Sequence, residues 1–368
     1  MTADTLDRPR MRPSIERITA YTPGESKLPG HDTVIKLASN ESALGPSPKA
    51  LEASAMSLAR THLYPDPAAT ALRRAIGAHY DIPPEHLITA SGSEQLLTLI
   101  IRAFAGPGDE VLQPEHAFLV YRIAALSVGA EPVFAPERDV HADVDALLER
   151  VTECTRIVAV ANPGNPTGTW IPTYEIQRLR NALRPEILLI IDSAYGEYPT
   201  DPAYSDGHAL VQDAIDSGAD NVVVTHTFSK IYGLAGLRVG WGYGPPAVLD
   251  PLHRIREVFN VTMAGQAAAE AAIADRAHVQ AERRHVAAEL MRLADYCRRR
   301  GLKLSPSGTN FGLIQFDSGE EAERCNQLLR DHGIIVRPVA GYGLPHCLRV
   351  TLGRTDQMDR FYEAFDAF

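Results

Sequence analysis

Cysteine is scarce in this chain. The four present, Cys154, Cys297, Cys325 and Cys347, stand far apart and show no metal-ligand spacing. They read as reduced thiols of a cytosolic protein. Long apolar runs are missing too. No stretch approaches the ~20 residues that a membrane helix needs, and the N-terminal MTADTLDRPRMRPS has no apolar signal core. Positive charge is in deficit, with 36 Lys and Arg against 46 Asp and Glu and a net charge of -10. That balance argues against nucleic acid or an anionic membrane as partner. There is no internal repeat and no low-complexity tract. The 13 histidines are scattered. His278 and His285 could share a helix face, but without a third ligand they read as surface residues, and no metal is expected.

What is present is a globular composition, 45% hydrophobic and 22% charged over 368 residues. That is enough to bury a large core and to form about two domains. Residues 1–14 read as a polar tail and 18–26 as a turn-rich arm around Tyr21. A short strand is expected at 34–38, then a loop through Asn40 and Glu41, then a helix with Ser47 as N-cap and Pro48 at its first position. From 106 to 224 strands alternate with helices, and several strands are apolar on both faces. This pattern predicts a parallel sheet covered on both sides. Residues 247–300 read as one or two long helices, and the remainder as a small set of strands with two helices. The expected architecture is α/β: an N-terminal arm (1–45), a large domain with a mostly parallel central sheet covered by helices (46–250), and a linking helix with a smaller α+β domain (251–368).

Chemistry-bearing residues gather at the expected strand ends. The apolar run Val222-Val223-Val224 leads into Thr225-His226-Thr227-Phe228-Ser229-Lys230, a Gly-rich segment and Arg238. A lysine after a strand is in most proteins a solvated surface residue. One just past a buried strand end can instead be desolvated, which lowers its pKa and frees an amine for Schiff-base chemistry. Ser229 and Arg238 can hold a phosphate. Leu87–Ala90 runs into Ser91-Gly92-Ser93-Glu94 at a helix start, an anion-binding arrangement or a plain cap. The loop Asn162-Pro163-Gly164-Asn165-Pro166-Thr167-Gly168 holds Asn165 at another strand end. Asp192 closes an apolar strand, where a carboxylate is expensive without a cationic partner, and Tyr195 follows three residues on. Phe118 and Tyr121 suit either stacking on a planar cofactor or core packing. Tyr64 sits at a turn, where simple packing is the plain reading. In the strand Cys347–Leu352, Arg349 alternates away from its apolar neighbours toward an anion, and Arg337 ends another strand. Ligands of parallel sheets lie beyond the C-terminal strand ends, and Ser93, Asn165, Asp192 and Lys230 each follow such an end. An amine, an acid able to pair with a pyridinium nitrogen and a phosphate cup are what pyridoxal 5′-phosphate (PLP) needs.

The stretches LASNESALGPSP, YPDP, SGSEQLL, ANPGNPTG, IIDSAYGEY, THTFSKIYGLAGLRVGWGYGP and GYGLPHCLRVTLG carry a resemblance over about residues 15–365. The chain resembles the fold-type-I PLP-dependent aminotransferases, and within them the histidinol-phosphate aminotransferase family. The resemblance implies the PLP-transferase type I fold. It implies that Lys230 binds PLP as a Schiff base and later shuttles the proton, and that Asp192 pairs with the pyridinium nitrogen. Asn165 and Tyr195 would hydrogen-bond the ring O3′, and Phe118 would stack on the ring where the family often has Tyr. Ser93, Glu94, Thr227, Ser229 and Arg238 would form the phosphate cup, with Tyr64 reaching it from the neighbouring subunit of a homodimer. Tyr21, Asn40, Arg337 and Arg349 would face the substrate. The implied reaction is ping-pong transfer of an amino group from histidinol phosphate to 2-oxoglutarate, a step of histidine biosynthesis, in the cytoplasm.

One guanidinium forks a phosphate or a carboxylate, so an aromatic amino-acid or specialised secondary-pathway aminotransferase stays open. So do a PLP decarboxylase or oxidase on the same fold. A non-enzymatic PLP sensor comes last, because Lys230 is intact and no DNA-binding extension is present. The chain departs from the family pattern at Ser42-Ala43, where Asn-Pro is common, at Glu94 for Asp, and at Ser193, where Glu is frequent. It departs again at Val258, Thr262 and Met263, where Pro, Asn and a small residue are usual. The PLP ligands are untouched. The last group lies in a stretch expected to approach the substrate channel, and so bears on substrate identity.

Overall fold

The computed structural model describes residues 9–20 and 25–368; Tyr21 lies outside them. Seven strands form the central sheet: β1 (Leu87–Ala90), β2 (Glu110–Pro114), β3 (Glu131–Ala135), β4 (Thr155–Ala161), β5 (Leu188–Asp192), β6 (Val222–Thr227) and β7 (Gly240–Tyr243). Their order is β1-β7-β6-β5-β4-β2-β3. β7 runs antiparallel to both neighbours, and the other pairings are parallel. All strands but β7 therefore end on one edge of the sheet, as the alternation of strands and helices predicts. β5 and β6 are buried at every residue. Val160, Ile191 and Val224 face one apolar layer, while Ala159, Ile190 and Val223 face the other. This is the two-residue period of a strand covered on both sides, and each buried Ile or Val contributes roughly 1.5–3 kcal/mol.

The helices follow local signals. Ser47 caps α1 (Pro48–Ser57), its hydroxyl accepting the Ala50 N–H at 3.2 Å, with Pro48 in the first turn. α2 (Thr70–Tyr80) packs with α1 against the later helix α6. α3 (Ser93–Phe104) follows β1 directly, and α4 (Leu119–Val128) lies beside it; both bury their apolar faces under the sheet. Three helices rather than one or two occupy 246–299: α5 (Pro246–Ile255), α6 (Met263–Ala274) and α7 (Arg276–Arg299). The breaks carry no glycine or proline, so the Ala-rich periodicity reads through them. What restarts the chain is Thr262, whose hydroxyl accepts the Gly265 N–H at 3.0 Å, and Asp275, whose ψ of 66° leaves the helical range.

A second, antiparallel sheet has the order β8 (Lys303–Leu304), β9 (Phe311–Gln315), β11 (Leu344–Thr351), β10 (Arg337–Val339). Helices Gly319–Asp331 and Thr355–Phe365 cover it, burying Leu329, Phe361 and Phe365 with Leu348 and Val350. The segment before α1 joins this smaller unit. Ile35–Lys36 pairs in parallel with Ile334–Ile335, and the Thr351 N–H donates to the Leu37 carbonyl at 2.9 Å. The pairing lays residues 37–40 beside β11, opposite the strand ends of the large sheet.

Candidate active site

The strand ends of the large sheet and the face of the small one enclose a cavity of about 210 Å³. Lys230, Asp192, Asn165 and Ser93, from four separate strand ends, all line it. Tyr195, Phe118, Thr227, Ser229, Arg238, Glu94, Asn40, Arg337 and Arg349 do so as well. Tyr64 does not. It is 79% exposed and stacks on Phe259 with ring centroids 4.4 Å apart.

Lys230 follows β6 by three residues. Its loop folds back on β7: the Phe228 N–H donates to the Val239 carbonyl, and the Leu234 N–H to the Phe228 carbonyl, each at 2.9 Å. Phe228 and Ile231, fully buried on either side, turn the lysine into the cavity. Its Nζ donates to the Ser39 carbonyl at 3.4 Å and lies 5.7 Å from the centre of the Tyr195 ring. Burial first, then the charge of Arg349 and more weakly that of Arg238, bring its pKa down to about 8, with Glu41 and Asp192 opposing.

Asp192, 4% exposed, accepts the Tyr121 hydroxyl on Oδ2 at 2.9 Å and the Thr225 hydroxyl on Oδ1 at 3.1 Å. Burial raises its pKa and these two donors restrain the rise. Burial and the carboxylate beside it push the Tyr121 hydroxyl well above the usual phenol range, so it remains a donor. Neither partner was anticipated in this role. Tyr121 offers one clue: it sits three residues after Phe118 at the start of α4, and the two rings lie 6.2 Å apart at 88°. Thr225 offers none from sequence; it faces Asp192 because the two are register partners on β6 and β5.

The anion cup is built by close backbone approach. A Cβ on Gly240 would lie 2.3 Å from the Ser93 nitrogen, so β7 must begin with glycine to let α3 start there. Gly92, at φ +85°, precedes α3 without a side-chain cap, and a Cβ on it would lie 2.8 Å from Arg238 Nη2. The Thr227 hydroxyl donates to Ser229 Oγ at 3.0 Å and accepts the Ser229 N–H at 3.1 Å. Arg238 itself holds φ +53°, a left-handed conformation costing ~1–3 kcal/mol in a non-glycine residue. A free helix N-terminus, two hydroxyls and a guanidinium together make an anion site.

Opposite, Arg337 and Arg349 are register partners on β10 and β11, so both side chains leave the same face, into the cavity. Arg349 donates to Asn165 Oδ1, to the Ala38 carbonyl at 2.9 Å, and lies 5.2 Å over the Phe311 ring. With its oxygen engaged, Asn165 has its amide NH₂ left to donate. Asn40, at φ +55°, donates Nδ2–H to the Tyr195 hydroxyl at 2.8 Å and bonds Thr351 through both its backbone N–H and its Oδ1. Burial raises the Tyr195 hydroxyl to about 12, with Arg349 opposing. Tyr342 also lines the cavity, with no local motif to mark it. The set fits a flat ring bearing a carbonyl and a phosphate: an amine for the carbonyl, a buried acid for a ring nitrogen, a cradle that a Cβ would fill for the phosphate, and Phe118 for a ring face. Among the described residues Asp206, His208 and His226 have metal-ligand proximity, but their two imidazoles hydrogen-bond each other at 2.8 Å, and they do not line the cavity.

Residues 32–365 match the family model described as aminotransferase class I and II. A histidinol-phosphate aminotransferase of Rhodospirillum centenum is 47% identical, over 98% of both chains. One of Paramagnetospirillum magneticum is 46% identical, over 99% of both. Among solved structures, a histidinol-phosphate aminotransferase of Sinorhizobium meliloti in complex with PLP superposes with a TM-score of 0.88 at 28% identity, covering 97% of this chain and 98% of that one. An aspartate aminotransferase of Thermus thermophilus, 20% identical with a TM-score of 0.79, covering 90% and 92%, shares the fold. The matched span includes both sheets and every segment that lines the cavity, and the chain belongs to the class I and II aminotransferases.

Proposed function

We propose that the protein is a PLP-dependent aminotransferase that moves the amino group of histidinol phosphate to 2-oxoglutarate. The observation that carries the reading is the convergence on one cavity of a lysine with a pKa near 8, a buried aspartate and an anion cup, faced by two arginines side by side. Full-length relatives named for that activity support the choice of donor.

Bound there, PLP supplies an electrophilic carbonyl and a ring that withdraws electrons from the substrate Cα. Lys230 would hold the carbonyl end. With a pKa near 8, part of its amine is uncharged near neutral pH, so Lys230 would serve as the nucleophile that holds the cofactor and, once freed, as the base that moves the substrate Cα proton. Asp192, steadied by Tyr121 and Thr225, would keep the ring nitrogen protonated. The Asn165 NH₂ and the Tyr195 hydroxyl would donate to the ring oxygen, with Asn40 orienting Tyr195. Phe118 would cover the ring. The Ser93 and Glu94 backbone, Thr227, Ser229 and Arg238 would hold the phosphate. Two guanidiniums opposed on one sheet face repel, and a phosphate monoester between them relieves that repulsion. A carboxylate fits the same fork, so one site serves donor and acceptor in turn.

The reading extends to a cytoplasmic homodimer in which Tyr64 reaches the partner's anion cup and Tyr21 the substrate, with 46–250 as the large domain and 251–368 as the small one. Leu51, Met56, Leu58, Leu63, Tyr64, Val258 and Phe259 are exposed, which supports a covered face. The test is a panel of amino donors mixed with holoenzyme. Histidinol phosphate should discharge the visible absorption and turn over with 2-oxoglutarate at a kcat/KM about tenfold or more above that of phenylalanine. Lys230→Ala should lose both absorption and turnover. Turnover retained in that variant would overturn the lysine's role, and a phenylalanine preference would select the aromatic reading.

A further inference from the structure

The helix α7 carries His278, Glu282, His285 and Glu289 at spacings of three and four, hence on one face. The two histidines, expected at the surface, are half-buried. His278 Nε2 bonds the Gly45 carbonyl and His285 Nε2 the Gly353 carbonyl, each at 2.9 Å. Glu289 accepts the Thr355 hydroxyl at 2.6 Å. Glu282 is fully buried: its Oε1 accepts the Ala43 N–H and its Oε2 the Leu44 N–H, both at 3.1 Å. One helix face thus grips the backbone of the two segments that flank the cavity on the small-sheet side.

The first of these segments, 38–45, brings three groups to the cavity. The Ala38 carbonyl meets Arg349, the Ser39 carbonyl meets Lys230 and the Asn40 amide meets Tyr195. Asn40 holds a left-handed backbone, a state that persists only where its flanks enforce it. Asn310 Nδ2 donates to the carbonyls of Asn40 and Glu41 at 3.0 and 3.2 Å. Further along the same C-terminal side the restraint is Glu282. Position 43 matters here. Ala43 supplies the N–H that Glu282 takes, a donor that proline at this position would lack.

We propose that Glu282 is a positioning residue for the reaction, acting through the Ala43-Leu44 backbone to hold Asn40 against Tyr195, and that Ala43 and Glu282 are a matched pair. The catalytic consequence rests on the aminotransferase reading; the clamp rests on the contacts alone. Hydrogen exchange on the full-length chain, with and without PLP, tests the clamp. Glu282→Ala should speed exchange of the Ala43 and Leu44 amides about tenfold or more, with β5 and β6 unchanged. In holoenzyme the same variant should lower kcat about tenfold while PLP affinity moves less than about twofold, and should shift the pH at which the visible absorption changes. Glu282→Gln, which keeps one acceptor, should fall between. Ala43→Pro should cost activity in the native chain, much less in the Glu282→Ala background, where the contact is already gone, and an intermediate amount in the Glu282→Gln background, where one acceptor is left. Should Glu282→Ala fail to fold, the Gln and Pro variants complete the cycle.

Fast exchange at 43–44 in the native chain overturns the clamp. Losses that multiply independently in the double variant overturn the pairing. A kcat loss without any change in exchange overturns the positioning role. If the native chain transfers no amino group yet shows slow, Glu282-dependent exchange, the function reading fails and the clamp stands.

Discussion

At Lys230 the cost of burial and the use of the amine are one effect. A pKa near 8 in the folded chain, against roughly 10.4 when unfolded, means that between these values the unfolded state binds more protons. Stability contributed by this group therefore rises as pH climbs from about 8 to about 10.4; below 8 the full penalty of a buried ammonium is present. The cofactor-free Lys230→Met variant should thus be more stable than the native chain at pH 7, by about 3 kcal/mol, with the gap closing near pH 10.5. Denaturant melts at both pH values measure it, and equal stability at pH 7 would mean that the lysine is not desolvated. Asp192 shows the converse. A carboxylate at the end of an apolar strand reads from sequence as needing a partner, but the partners found are neutral hydroxyls, from Tyr121 and Thr225.

Among the elements, the junction of β7 with α3 carries the tightest constraint. No side chain fits between Gly240 and Ser93, so Gly240→Ala must move the start of α3 or the strand, and with it the cup. The expected result is PLP binding weakened about tenfold or more, with far-UV circular dichroism unchanged, measured by cofactor titration. Unaltered affinity would mean that the helix start does not hold the phosphate. Individual elements were largely legible: Ser47 as a cap, the two-faced strands β5 and β6, and the strand end before Ser93 all follow from a few adjacent residues. The division of 246–299 into three helices was not, because a single threonine cap is a faint signal within an Ala-rich period. The polar face of α7 was not either. Histidine and glutamate at helical spacing look solvated until the segments they bind are known.

For the whole molecule, the exposed apolar residues of α1, the turn at 63–64 and residues 258–259 set the expectation. Sedimentation should give a dimer at micromolar protein, and Leu51→Asp with Met56→Asp should yield monomers whose PLP affinity falls, because Tyr64 then lacks a partner site. A native monomer with full affinity would remove the partner-subunit role of Tyr64. The sequence alone determined which residues end the strands and what chemistry they carry, since burial, capping and turn formation depend on neighbours in the chain. Only the tertiary structure decided that Arg337 stands opposite Arg349, that Asn40 meets Tyr195 across 155 positions, and that Tyr121 serves Asp192 across 71. Such contacts are set by strand register and helix packing, which no local stretch encodes, because each arises from where two distant segments come to rest against a shared core.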